Sequence, residues 1–352
     1  MFKNLKVIDL STVLAGPSVA TFFAELGAEV FKIENKKIPD VTRSWKLPTE
    51  QIDASVSAYF SSVNYKKTYL SLDLKDAEDY QKLLKIVIDA DILISNFKFG
   101  DEEKMKLEDE RLRQINPKLI IGKINGFGSE SDRVAYDLIL QAETGFMSMN
   151  GTKESGPVKM PVAFIDVLAS HQLKEGLLLA LYERQVSNTI RTIEVSLYNA
   201  AICSLANQAS NYLMGNHIPQ HIGSLHPNIA PYGEIFTSKD NQLLTFAIGS
   251  AQHFEKLCAF LGLTELLNDK LFSSNQNRVV NREKLFEILQ EKIVQFTADE
   301  VLEAMLKVHV PAGKIKDLKA VFEDEKAKDL VRKETIDGIE TKRVTAIGFK
   351  WK

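Results

Sequence analysis

Cysteine is scarce: Cys203 and Cys258 are the only two in 352 residues. Both fall in apolar helical patterns, which predicts buried thiols in a reducing compartment and excludes a disulfide-built fold. Charge of one sign is missing as well. The 44 basic and 47 acidic side chains leave a net charge of −3. That is too little for the electrostatic footprint of a nucleic-acid binder or of a protein held to an anionic membrane. No apolar run approaches the length of a membrane span. Met1-Phe2-Lys3-Asn4-Leu5 leads straight into a strand, so no signal peptide is expected and the expected location is cytoplasmic. No serine stands in a nucleophile elbow, and no glycine-rich loop of the Walker type is present. The six histidines do not add up to a metal site. His217 and His221 have helical spacing, but Pro219 between them forbids the helix, and no acid or cysteine cluster completes a ligand set. No metal is expected.

What the chain has is alternation. Its apolar fraction of 45% and charged fraction of 26% are those of a soluble globular protein, and 352 residues exceed what one core usually fills. Lys6–Leu10 reads as a buried strand, Ser11–Pro17 as a turn, and Ser18 to Gly27 as a helix with Pro17 near its first position. Glu29–Glu34 reads as the next strand. This βαβ unit ends in an acid, which invites a dinucleotide-binding reading. It has one glycine where the fingerprint needs three, however, and Pro17 removes an N–H that would face phosphate. The spacing predicts further strands at 68–74, 91–94, 118–124 and 191–197, and helices at 76–88, 137–147 and 166–184. That is the pattern of a Rossmann-like open parallel sheet covered on both faces. From Asn199 the pattern changes. Ala200–Leu213 reads as one apolar helix, Gly215–Pro231 as a hinge, and Tyr232–Thr237 with Gln242–Ile248 as a hairpin. Helices are expected at 252–263, 283–296, 298–309 and 317–322. The expected fold class is therefore α/β. A large Rossmann-like domain spans 1–198, a helical linker 199–224, a smaller α+β domain 225–313, and a return segment to the large domain 314–352.

One carboxylate stands out, Asp166 in Pro161-Val162-Ala163-Phe164-Ile165-Asp166-Val167-Leu168-Ala169-Ser170. Its neighbours are apolar and a strong helix pattern follows it. Burying an unpaired charge is costly, so the position needs a reason. Asp166 caps the helix, accepting a backbone N–H of its first turn, or it is a nucleophile whose charge the helix start sustains. His171, one turn further on, reads as a hydrogen-bonded helix residue. Other one-off features fall on the expected carboxyl edge of the sheet, where open α/β sheets bind ligands. They are Leu14-Ala15-Gly16-Pro17, Asp40-Val41-Thr42-Arg43, Asn96-Phe97-Lys98-Phe99-Gly100 and Tyr136-Asp137.

Taken together, these segments resemble the class III coenzyme A transferases of the CaiB/BaiF type, the family that includes formyl-CoA, carnitine-CoA and bile-acid CoA transferases and α-methylacyl-CoA racemase. Val7-Ile8-Asp9-Leu10 leads into Leu14-Ala15-Gly16-Pro17. Leu26-Gly27-Ala28-Glu29-Val30 leads to Lys32-Ile33-Glu34 and Asp40-Val41-Thr42-Arg43. Leu70-Ser71-Leu72-Asp73-Leu74-Lys75, Ala90 to Phe97, Tyr136-Asp137-Leu138 with Gln141-Ala142, and the Asp166 segment follow in order. His226-Pro227-Asn228-Ile229-Ala230-Pro231-Tyr232 and Val310-Pro311-Ala312-Gly313 bracket the small domain.

The resemblance implies an enzyme that moves coenzyme A from an acyl-CoA thioester to a carboxylic acid, with Asp166 as the residue that becomes acylated. CoA enters as a substrate, and no permanently bound cofactor is implied. The resemblance places CoA along Val13, Leu14 and Ala15, the strand at Leu72, and the Asn96-Phe97-Lys98 loop, with Arg43, Tyr136 and Asp137 as further substrate or CoA contacts. It also implies a homodimer of two interlocked chains, with no nucleic acid or membrane partner. Several departures are visible. Lys98-Phe99 replaces the family's Arg-Pro, which keeps a charge but not a planar fork. Leu14 stands where formyl-CoA transferases carry glutamine, and their glycine-rich loop has no counterpart, so formate is not expected as the group transferred. The chain ends at Trp351-Lys352 where such relatives run on, which is expected to bear on the interlock. Racemase chemistry needs two acid–base groups across the α-carbon. That family pattern has histidine before aspartate, where this chain has Tyr136 before Asp137. Racemisation is thus the alternative reading within the family, and non-catalytic acyl-CoA binding is the alternative outside it.

Overall fold

The computed structural model describes residues 1–350; Trp351 and Lys352, the end of the expected return segment, lie outside them. Two units divide the chain. The first comprises Met1–Ser148, Val158–Ile218 and the chain from Asp329, and the second Met149–Pro157 and Pro219–Lys328. The passages between them therefore fall near 148, 157, 218 and 328, against expected boundaries at 198, 224 and 313.

In the first unit, β1 (Lys6–Asp9) feeds α1 (Ala15–Glu25), and β2 (Glu29–Asn35), α2 (Ala58–Val63), β3 (Thr68–Leu72), α3 (Ala77–Val87) and β4 (Ile92–Ser95) follow. Next come α4 (Asp109–Ile115), β5 (Ile120–Asn125), α5 (Asp137–Glu143), α6 (Phe164–Ser187), β6 (Thr192–Ser196), α7 (Leu197–Cys203) and α8 (Ala206–Gly215). The six strands form one parallel sheet in the order β3-β2-β1-β4-β5-β6. Adjacent strand residues point to opposite faces, so Val7, Ile94 and Ile120 pack under α1 and α6 with Phe23, Leu173 and Leu177. Ile8, Leu93 and Ile121 pack on the other side with Leu83 and Leu112 of α3 and α4.

Several element starts differ from the periodicity. Helix α1 begins at Ala15, three residues early, because Gly16 lets its first turn press on the preceding chain: a Cβ there would sit 2.2 Å from Ser11 Oγ. Pro17 is then its third residue, among the first-turn positions whose N–H has no intrahelical partner. The expected helix at 137–147 breaks at Gly145, whose φ is +89°. The expected single helix at 200–213 is two, α7 and α8, separated by Ser204-Leu205, with Ala206 at φ +47°. Cys203 is exposed, not buried. It lies two positions past Ala201, on the side of α7 away from the buried Leu197, Ala200 and Ala201; Cys258 is buried as expected.

The second unit holds β7 (Phe236–Thr237), β8 (Leu243–Phe246), α9 (Ala251–Leu261), α10 (Arg282–Ile293), α11 (Ala298–Lys307) and β9 (Ala312–Lys314). Its antiparallel sheet has the order β9-β8-β7 and buries Phe236 and Phe246 with Leu257, Leu289 and Met305 of the helices. The hairpin ladder is shorter than expected, with an isolated bridge Tyr232–Ala247 beyond it. The chain re-enters the first unit as a hairpin of β10 (Val331–Ile336) and β11 (Ile339–Val344). Its turn is Asp337-Gly338, both at positive φ, as a two-residue hairpin turn requires. Among the described residues no helix is long and apolar enough to cross a membrane.

Candidate active site

Strand order reverses between β1 and β4, and a cleft of about 390 Å³ lies beyond their carboxyl ends, where open α/β sheets admit ligands. Its walls are Thr12–Ala15 after β1, the end of β4 with the turn that follows it (Ser95–Gly100), and the end of β5 with parts of the segment running on to Asp137. Asp166 reaches it from the first turn of α6. Two glycines set that helix close to the sheet. A Cβ on Gly122 would lie 3.2–3.3 Å from Leu173 and Leu177, and one on Gly176 would lie 2.5 Å from Ile193.

Asp166 does not cap α6. It is the third helical residue; the N-cap is Ala163, whose side chain has nothing to offer. The cap comes from α5 instead. Asp137 Oδ1 accepts the Ile165 N–H at 2.7 Å, and Asp137 Oδ2 accepts Gln141 Nε2 at 2.6 Å. Gln141 Oε1 in turn accepts the Met160 N–H at 2.7 Å, so α5 ties down the loop that enters α6. Among the described residues no side chain donates a hydrogen bond to the Asp166 carboxylate. The residue is 8% exposed. Burial, and then the charge of Asp137, push its carboxyl up to about 7.

The β1–α1 turn is the second fixed feature. Thr12 N–H donates to Asn96 Oδ1 and Asn96 Nδ2 donates back to Thr12 O, both at 2.9 Å. Val13 N–H donates to Asp40 Oδ2 at 3.1 Å. Val13 has φ +73°. A β-branched residue in the left-handed region costs roughly 1–3 kcal/mol and persists only where its surroundings impose it.

Of the residues singled out in the sequence, the structure brings Val13, Leu14, Ala15, Asn96, Phe97, Lys98, Tyr136, Asp137 and Asp166 to one cleft. It does not bring Arg43 or Leu72. Arg43 is used up: Nε and Nη2 grip Glu34 at 2.9 and 2.6 Å, Nη1 binds Asp337 and Ser55 O, and the guanidinium lies 3.9 Å from the Phe60 ring centre. Leu72 is buried in the core on β3, the edge strand two removed from β1. His171 is exposed and absent from the cleft wall. Lys123 lines the cleft but lies 2.6 Å from Glu102 and 2.7 Å from Asp109. Lys98 is exposed, with no ion pair among the described residues.

Sequence reasoning noted Gln141 without giving it a role, and missed the 126–135 segment and Tyr59. A Cβ on Gly126 would meet Ala135 Cβ at 2.2 Å, so that loop folds tightly on itself. Burial and the charges of Asp166, Asp137 and Asp40 push the Tyr59 hydroxyl up to about 12, so it stays protonated at neutral pH.

The family model for CoA-transferase family III matches residues 2–352. The chain belongs to that family. It is 34% identical over 327 residues to the succinate–glutarate CoA-transferase of Agrobacterium fabrum, which is 91% of this chain and 81% of that one. It is 31% identical over 325 residues to the succinyl-CoA:glutarate CoA-transferase of Mus musculus, which is 92% of this chain and 73% of that one. A solved CaiB/BaiF family protein from Brucella suis superposes with TM-score 0.82 at 33% identity, covering 99% of this chain and 91% of the other. The family III chain is thus an enzyme, a CoA-transferase of the CaiB/BaiF type, and the coarse α/β reading and the family resemblance both hold.

Proposed function

We propose that this transferase moves coenzyme A between two carboxylic acids with Asp166 as its nucleophile. The observation that carries the reading is the state of that carboxylate: buried, without a hydrogen-bond donor or a neighbouring cation among the described side chains, and facing the cleft at the sheet's switch point. A carboxylate is a poor nucleophile in water and a better one when desolvated and aimed.

The steps balance without redox change. An Asp166 oxygen attacks the thioester carbonyl carbon, the C–S bond breaks, and CoA thiolate leaves an acyl-aspartyl anhydride. The thiolate then attacks the aspartyl carbonyl, releasing the donor carboxylate and leaving an aspartyl-CoA thioester. The acceptor carboxylate repeats the sequence in reverse and departs as the new acyl-CoA. Every electron pair stays within donor, acceptor, CoA and Asp166, so CoA is a substrate and the scheme draws on no resident cofactor. First-turn N–H groups of α6 are candidate oxyanion donors, except that of Ile165, which Asp137 occupies.

The names of the two relatives make succinyl-CoA with glutarate the first pair to assay. The reading includes a cytoplasmic location and a homodimer; the dimer is favoured by a chain that leaves the first unit for the second and re-enters the first from Asp329. Transfer between CoA thioesters and free acids, followed by mass, tests the activity. Failure of a broad panel to exchange CoA would contradict it. Sedimentation tests the dimer, which a compact particle of one chain's mass at micromolar concentration would rule out.

A further inference from the structure

We infer that Asp40 is a positioning residue of this transferase: by holding the Val13 N–H, it keeps the Thr12–Val13 turn in the strained geometry that aims the acyl-CoA thioester at Asp166. The inference rests on the Asp166 reading above. Asp40 is 3% exposed and is no part of the cleft wall. Its effect on the site therefore has to pass through what it touches.

What it touches is the backbone of that wall. One oxygen, Oδ2, accepts from Val13 N at 3.1 Å; the other, Oδ1, accepts from Thr42 N at 3.0 Å and Thr42 Oγ1 at 2.7 Å. Val13 stands at φ +73°, and the next two residues, Leu14 and Ala15, line the cleft and start α1. A valine released from this grip relaxes toward negative φ, which swings that part of the wall. The opposite side of the turn cannot absorb the change, because Thr12 is clamped twice to Asn96 and Gly16 is pressed onto Ser11.

Asp40 is itself seated rigidly. Its N–H donates to Glu34 Oε1 at 3.1 Å, and Arg43 grips the same carboxylate. Lys32 Nζ lies 3.7 Å from Asp40 and 3.6 Å from Asp9 and donates to Ser11 O, while Lys67 Nζ donates to Asp9 at 2.9 Å. Two buried anions thus face two buried cations, the condition for keeping charges inside. The Asp40–Arg43 segment, which the cleft does not use directly, acts through its neighbour's backbone.

The rival account is that Asp40 merely stabilises this buried network. Glycine adopts positive φ freely, so Val13→Gly separates the two. The rate of covalent adduct formation on Asp166 from saturating acyl-CoA is measured in the parent, Asp40→Ala, Val13→Gly and the double variant, with acyl-CoA affinity alongside. Positioning predicts that Asp40→Ala slows acylation about tenfold or more when Val13 is present. In the Val13→Gly background the same change should slow it only about threefold or less. Affinity should fall less than the rate. An equal loss in both backgrounds, or no loss at all, overturns the inference. Should Asp40→Ala fail to fold, Asp40→Asn, with one acceptor oxygen for two tasks, is compared in the same two backgrounds and decides alike. Absence of any adduct on the unmutated chain counts against the Asp166 chemistry instead. The cycle is then read on acyl-CoA affinity, where additivity again overturns the role of Asp40.

Discussion

Asp137 Oδ1 accepts the Ile165 N–H at 2.7 Å, so the helix that carries Asp166 is capped by a residue 28 positions earlier on another helix. The same carboxylate is the charge that helps to raise the Asp166 carboxyl. One residue therefore caps the helix that carries the nucleophile and adds to the burial that opposes its ionisation.

Substitution separates the two roles. Asp137→Ala removes the cap and should lower stability by about 1–2 kcal/mol, with a marked fall in transfer rate. Asp137→Asn keeps an acceptor but removes the charge. Its stability should stay nearer the parent's, and the midpoint of its pH–rate curve should move to lower pH, because an anion beside Asp166 no longer opposes ionisation. Denaturant melts and pH profiles of the two variants check this; an unmoved midpoint in Asp137→Asn would contradict it.

Much of this arrangement was legible in the sequence. The inner strands β1, β4 and β5 carry short apolar runs, as buried parallel strands do, while β3 and β6 at the edges alternate apolar and polar residues, and Asp166 is conspicuous because an acid sits among Phe164, Ile165, Val167 and Leu168. Arg43 was not legible. A guanidinium in a loop after a strand looks the same whether it faces a phosphate or a carboxylate, and one of its partners, Asp337, lies 294 residues away. The cap was missed for the same reason: its acceptor sits on another helix, so no local pattern shows it. The break between α7 and α8 has neither Gly nor Pro to announce it, and Tyr59 approaches Asp166 only through the tertiary fold.

The Asp166 carboxyl, pushed up to about 7, gives a pH dependence of known sign. The ionised nucleophile accumulates as pH rises, so acylation should gain about tenfold per unit below pH ~7 and level off above it. Stability should run the other way. The folded value lies above the unfolded one of about 3.9, so this group's contribution is full below about pH 4 and is lost as pH rises through about 7. Asp166→Asn removes that loss. The variant should be more stable than the parent at pH 8 by up to about 4 kcal/mol, with a smaller difference at pH 5. Urea melts at the two pH values test it; a less stable variant at pH 8 would contradict the buried-charge account.

Lys98 is exposed at the cleft and has no ion pair among the described residues. As a point charge for a phosphate, it should be worth about 1 kcal/mol. Lys98→Ala should weaken acyl-CoA binding about fivefold, and the difference should shrink at high salt. Titration calorimetry at two salt concentrations measures it. An unchanged affinity at low salt would place the phosphates elsewhere.

Tyr136, 52% exposed on the cleft wall, stands where the racemase pattern has histidine. Incubation of a 2-methylacyl-CoA in heavy water should therefore leave the α-proton essentially unexchanged. Fast exchange that Tyr136→Phe abolishes would instead favour racemase chemistry.

The central claim is that Asp166 is acylated, and the direct measurement is peptide mass spectrometry after incubation with acyl-CoA alone. A covalent adduct should appear on the peptide carrying Asp166. Hydroxylamine should cleave it, and Asp166→Asn should abolish both the adduct and transfer while acyl-CoA still binds. An unmodified Asp166 peptide, together with an Asn variant that still transfers CoA, would contradict the account.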